Sequence, residues 1–279
     1  MAIGVIFKRE VRDTVLSRRY LIYLALMFIP VGLLTWLVRV LYDNPAILAR
    51  VSAAYPEPII AVTAVIALMF FVCGFVMFPA LISIIHAGNF IAGDQAGGML
   101  LLLASKPLQR WKIIAAKYLS FLAVFVPLIL ASLGLMYLLI GVIGIGQAPG
   151  GVFWGFFVWI LTIVIVYTSI ATLFSSMTRR PLEAILATLI LFMLWFTLDF
   201  IIVYLPQNIA DILSRFTLSY YTQTFSAYIS GGEAISLMMY NVGAVSSADF
   251  WRSLAVIITL ITILVVVSMV VLHKRDIHA

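Results

Sequence analysis

Two acids stand where acids are costly. Asp199 lies inside an otherwise uncharged apolar run, Ala184 to Leu205, and Asp94 sits in "GDQAGGMLLLLASKPLQRWK", between two long apolar stretches. An acid within a span can hold a cation, pass a proton or contact a substrate. Hydrolysis by carboxylates needs a second one, so that one serves as acid and the other as base. Among the other reactive types, the single cysteine, Cys73, has no partner for a disulfide and reads as a packing thiol. His86 and Asn89 end the second apolar run, where capping or packing suits them. The 279 residues contain no G-x-x-x-x-G-K-[ST], no H-E-x-x-H and no G-x-S-x-G. There is therefore no phosphate-cradling loop, paired-histidine zinc site or serine elbow of those kinds. No catalytic residue and no metal ligand is expected, and the chain itself is not expected to be an enzyme.

The stretch "FIAGDQ" is similar to the G-x-G-D of intramembrane aspartyl proteases, but Ile91 replaces the first glycine and no other span carries a Tyr-Asp pair. An enzyme of that kind is disfavoured. Asp199 comes six residues before Leu205, so it lies roughly 9 Å from the outer end of its helix. Two readings stay open for it: an outer-facing acid hydrogen-bonded to a neighbour, or a substrate or ion contact.

The elements that must position these residues are spans. The chain is 65% hydrophobic and 10% charged, with a mean hydropathy of +1.18, far above the 45–50% or so of apolar residues in soluble domains. Runs long enough to cross a bilayer are Tyr20 to Val38, Ile59 to Ile85, Tyr118 to Ile145, Val152 to Phe174, Ala184 to Leu205 and Ser253 to Leu272. Six spans place both termini on one side. That side holds Lys8, Arg9, Arg12, Arg18, Arg19, Lys106, Arg110, Lys112, Lys117, Arg179, Arg180, Lys274 and Arg275, which are 13 of the 17 basic residues. By the positive-inside rule both termini are expected in the cytoplasm, the location is a cell membrane, and the net charge of +6 requires no nucleic acid. The start "MAIGVIFKREVRDTVLSRR" lacks the pattern of a cleaved signal peptide. The absence of any Asn-x-Ser/Thr sequon agrees with a prokaryotic source.

The fold class expected is an all-α membrane protein over residues 1–279, a single permease-like domain with six transmembrane helices. Ile3, Phe7, Val11 and Val15 recur every four residues, so residues 1–19 are expected to form an amphipathic interfacial helix. Residues 206–251 carry mixed polar and apolar character and no run of span length, which predicts two or more short helices, re-entrant or on the outer surface. In the loop from Ala87 to Lys117, the Met99 to Ala104 run is far too short to span and must be covered by this protein, lipid or a partner. Asp94 precedes that run and suits the positive end of a helix. Pro107 biases Lys106 away from helical geometry. The result is a short cytoplasmic helix, apolar on one side and followed by basic residues.

This order of parts resembles the permease subunits of type 2 ABC exporters. The residues that carry the resemblance are Asp94, Gly98, Leu100, Leu101, Leu102, Leu103, Ser105, Pro107 and Arg110, together with the closing "HKRDI" from His273 to Ile277. It is most similar to the branch that includes the permease of nitrous oxide reductase maturation. The resemblance implies a coupling helix at residues 93–105 that docks on a separate cytoplasmic ATPase subunit. The partners it implies are that ATPase, which would hold ATP and Mg, and a second permease copy or paralogue to complete a dimer. Members commonly carry Glu where this chain has Asp94. The rival expectations are an ion-gradient-driven carrier or channel using Asp199, which lacks the broken-helix features such carriers show, and a membrane anchor that recruits cytosolic proteins without transport.

Overall fold

The structure is a computed structural model and describes residues 2–44, 77–98, 110–142, 147–231 and 245–274. Among these residues all regular structure is helical. In chain order the helices are α1 (Ala2–Val15), α2 (Arg18–Tyr42), α3 (Met77–Gly88), α4 (Ala92–Ala96), α5 (Arg110–Val142), α6 (Gly150–Met177), α7 (Pro181–Val203), α8 (Gln207–Ser214), α9 (Leu218–Ile229) and α10 (Ser247–Lys274).

Five of them, α2, α5, α6, α7 and α10, are long and apolar enough to cross a membrane. The expected second span, Ile59 to Ile85, lies outside the described residues except for its final part. That part is helical within α3 and, by itself, shorter than a span. Cys73 also lies outside the described residues. Pro30 within α2 and Pro127 within α5 are carried inside continuous helices, as spans tolerate when neighbouring helices cover the freed backbone groups.

The central element is α6. Of its most apolar stretch 78% is buried, against 17% for α7 and 11% for α10, so α6 is surrounded by protein while α7 and α10 form the apolar exterior. It packs against α3, α7, α9 and α10. Its many hydroxyls do not leave polar groups bare: Thr162, Thr168, Ser169 and Thr172 each donate to the carbonyl one turn back, at 2.6–2.8 Å.

Two helix starts differ from their expected places, each for its own reason. The helix α5 begins at Arg110, eight residues before Tyr118, because Ile113, Ile114 and Ala116 form a buried stripe that carries the helix past the end of the uncharged run. Lys112 and Lys117 are therefore helical rather than loop residues. The start of α10 at Ser247 is set by a cap: Ser246 Oγ donates to Asp249 Oδ2 at 2.6 Å and accepts from the Asp249 N–H at 3.2 Å.

The packed face of α1 shares Phe7 and Val11 with the expected stripe but also takes in Glu10 and Thr14. It lies along α5. Val11 packs against the core and Phe7, Glu10 and Thr14 are half-buried, whereas Val15 is exposed. An acid thus sits within the packed face. A two-residue turn joins α1 to α2, where Ser17 Oγ donates to Thr14 O at 2.7 Å and receives the Tyr20 N–H at 3.3 Å.

Helices α8 and α9 occupy part of the segment expected to hold short helices. α9 is buried against α6 and α10 through Trp159 Nε1, which donates to Thr222 Oγ1 at 3.2 Å, and Ser226 Oγ, which donates to Gly155 O at 2.6 Å. Phe225 and Tyr228 stack on Phe250 with centroids 5.1 and 4.6 Å apart.

Candidate coupling site

The segment after α3 turns sharply and is held by a single hydroxyl from the central helix. Ser175 Oγ donates to Gly88 O at 2.8 Å and accepts from the N–H groups of Ile91 and Ala92, each at 3.0 Å. Ser175 is fully buried, as is Ala92, so no water is at hand to replace these bonds. The approach of α3 to α7 at this level needs glycine: a Cβ on Gly88 would stand 2.6 Å from the Ile185 side chain. Ser175→Ala leaves two buried N–H groups and a carbonyl without their partner and is expected to cost about 1–3 kcal/mol, read as a lowered thermal midpoint of the purified protein.

Helix α4 follows at once and carries Asp94 in its single full turn. Gly98 closes it with φ +70°, a left-handed conformation that favours glycine, which accounts physically for glycine at this motif position. Asp94 is not freely exposed to solvent. Its side chain is 19% exposed, and its Oδ2 lies 3.0 Å from Lys117 Nζ of α5. The same ammonium lies 3.0 Å from Glu10 Oε1 of α1. Burial raises the Asp94 carboxyl above its usual pKa, and the Lys117 ammonium pulls it back.

The Lys117 side chain is 5% exposed. An ammonium removed from water is tolerated only when charged partners compensate for its lost hydration, and two carboxylates from two other helices do so here. Glu10, Asp94 and Lys117 form one ionic node in which an acid of the N-terminal helix, an acid of the loop and the base of the third predicted span meet. Beneath it, His86 packs among Phe90, Phe121 and Phe125 at ring distances of 5.3–5.7 Å and pairs through Nδ1 with the Tyr23 hydroxyl at 3.4 Å. Asn89 Nδ2 donates to Ile85 O at 2.6 Å. Both residues hold the end of α3, which is the packing and capping role their positions suggest.

Of the loop residues singled out in the sequence, Asp94, Gly98 and the backbone of Arg110 lie within the described residues. Leu100, Leu101, Leu102, Leu103, Ser105 and Pro107 lie outside them. Glu10, Lys117 and Ser175 were not singled out, although two of them carry a legible signal. Lys117 shares a helical face with the buried Ile113, Ile114, Ser120 and Phe121, and Glu10 shares one with Phe7, Val11 and Thr14. A charge set within a buried stripe points to a charged partner.

Asp199 lies far along α7, 9% exposed, and accepts a hydrogen bond from Ser219 of α9. Helix α9 thus supplies a hydrogen-bonding neighbour for this acid. Among the described residues no group of acids, histidines and cysteines could hold a metal ion.

These features define a multi-pass helical membrane protein whose central span and third predicted span clip a short turn in place. The sequence model of the family described as ABC-2 family transporter protein matches residues 4–277, so the chain belongs to the ABC-2 transporter family and is a membrane permease component of an ABC transporter. No curated protein gives a significant match.

Proposed function

We infer that the chain is the permease subunit of an ABC exporter, driven by a separate cytoplasmic ATPase subunit that holds ATP and Mg, and that two permease copies or paralogues form the transport unit. The observation that carries this reading is the family match across residues 4–277 in a chain that has no phosphate-loop motif of its own. The reading keeps six spans with both termini in the cytoplasm. It makes residues 93–105 the docking element, with the leucine run Leu100 to Leu103 in contact with the ATPase. Asp94 then acts at the root of that element, held by Lys117, rather than as a contact on the partner. Closure of the ATPase on ATP pushes the loop, and the loop moves α3 and α5, to which it is joined directly. The loop motif and the "HKRDI" tail support the type 2 exporter class, and the nitrous oxide reductase maturation branch is proposed from the overall likeness of the chain.

Asp199 separates this reading from an ion-driven carrier. Its bond to Ser219, which links α7 to α9, supports a structural role. In nanodiscs the affinity-purified complex is expected to hydrolyse ATP in an orthovanadate-sensitive manner, and Asp199→Asn, which preserves hydrogen bonding to Ser219, is expected to leave that activity unchanged. A preparation without ATP hydrolysis, whose proton uptake in liposomes disappears in Asp199→Asn, would replace the permease reading with the carrier.

A further inference from the structure

We propose that Lys117 is a positioning residue for coupling: its ammonium, held between Glu10 and Asp94, locks the N-terminal helix and the root of the docking loop into one body with the cytoplasmic end of α5. The proposal rests on the permease reading above and deepens it by naming the joint through which a push on the loop reaches α1.

Three observations carry it. The two carboxylates come from separate elements, α1 and α4, and each lies 3.0 Å from the same Nζ. Helix α1 packs along α5 while α4 packs against α7, so the ammonium is an ionic link between elements that otherwise lean on different neighbours. The ammonium is also 5% exposed, which raises the cost of separating it from either acid above that of a surface pair.

The neutral Ser175 clip fastens the beginning of the loop to α6, and the ionic node fastens the next turn to α5 and α1. Beyond the node, the two-residue turn braced by Ser17 passes any movement of α1 into α2. A push on the loop therefore reaches the first predicted span through α1 as well as the third through α5. Without the node, α1 would be a separate helix resting on α5, free to stay behind when the loop moves.

The test measures whether α1 and α4 move together. In a Cys73→Ser background, spin labels are placed at Arg12→Cys and Ala96→Cys, both exposed positions outside the node. The permease, purified with its ATPase into nanodiscs, is examined by pulsed electron paramagnetic resonance without nucleotide and trapped with ATP and orthovanadate. With the doubly labelled permease diluted in excess unlabelled permease, so that both labels of a pair lie in one copy, the expected result is one narrow distance, the same in both states. The Glu10→Gln/Asp94→Asn double variant is expected to give a distance that differs between the states, and Lys117→Arg to keep it constant. A wild-type distance that changes on trapping overturns the proposal, as does a double variant that keeps the wild-type distance in both states. The wild-type measurement decides the matter even where the double variant fails to fold. A chain that purifies without any ATPase overturns the permease reading instead, and the proposal falls with it; the two failures are therefore distinguishable.

Discussion

Neutralising Glu10 and Asp94 together should damage the protein far more than the two single changes added. With Glu10→Gln alone, or Asp94→Asn alone, the Lys117 ammonium keeps one carboxylate at 3.0 Å, and each single variant should lose about 1 kcal/mol, the net worth of an ordinary hydrogen bond. The double variant leaves an almost fully buried ammonium with neither acid. Breaking a buried pair so that one charge is uncompensated costs about 3–5 kcal/mol. Sites that share one partner couple in this way, whereas independent sites add. Thermal midpoints of the four proteins in detergent complete the cycle. Equal and additive losses would show that the three groups do not act as a node. Lys117→Met combined with both neutral acids should recover part of the loss, because replacing all charged members removes the uncompensated charge itself.

The second large effect is expected in the leucine run. Leu101 and Leu102 belong to an apolar segment too short to span, flanked by Asp94 and by basic residues. If they fill a groove on the ATPase, each counts among the few contacts that dominate an interface, worth about 2 kcal/mol or more. Replacing both with aspartate removes those contacts and carries two charges into the groove. A loss of about 4 kcal/mol corresponds to roughly a thousandfold weaker binding. The variant should insert in the membrane at wild-type levels and lose both the bound ATPase and ATP-coupled transport. Retained ATP-coupled transport would mean that the loop is not the docking element.

The large features of the fold were legible in the sequence because bilayer thickness imposes a length on every uncharged run. Four of the predicted runs overlap α2, α6, α7 and α10 with their ends moved by a few residues. The uncharged-run criterion failed at α5, where the helix begins earlier and its buried stripe includes a lysine. That lysine was assigned to a loop for the reason that makes it informative: a charge ends a span by composition, but not a helix by hydrogen bonding.

The node itself joins residues 10, 94 and 117, and nothing in linear spacing reports such a meeting. The helical faces containing Glu10 and Lys117 were available to inspection, but which acid meets which base depends on how α1 lies on α5. Ser175 was legible still less, since a serine in an apolar helix most often bonds to its own backbone, as Thr168 and Ser169 do. Its engagement of Gly88, Ile91 and Ala92 follows from the packing of α3 on α6. Asp199 was open to two readings because its distance from the end of the span was predictable and its partner was not. Ser219 lies on a short helix whose burial depends on Trp159 and Gly155 across the packing interface.

The central claim is that a separate ATPase grips this chain, and the most direct measurement is to purify the chain from its native membrane in mild detergent and quantify by mass spectrometry what accompanies it. The account predicts a cytosolic ATPase carrying a phosphate-loop motif, present in equal amount to the permease. A chain that purifies reproducibly without any nucleotide-binding companion would contradict it.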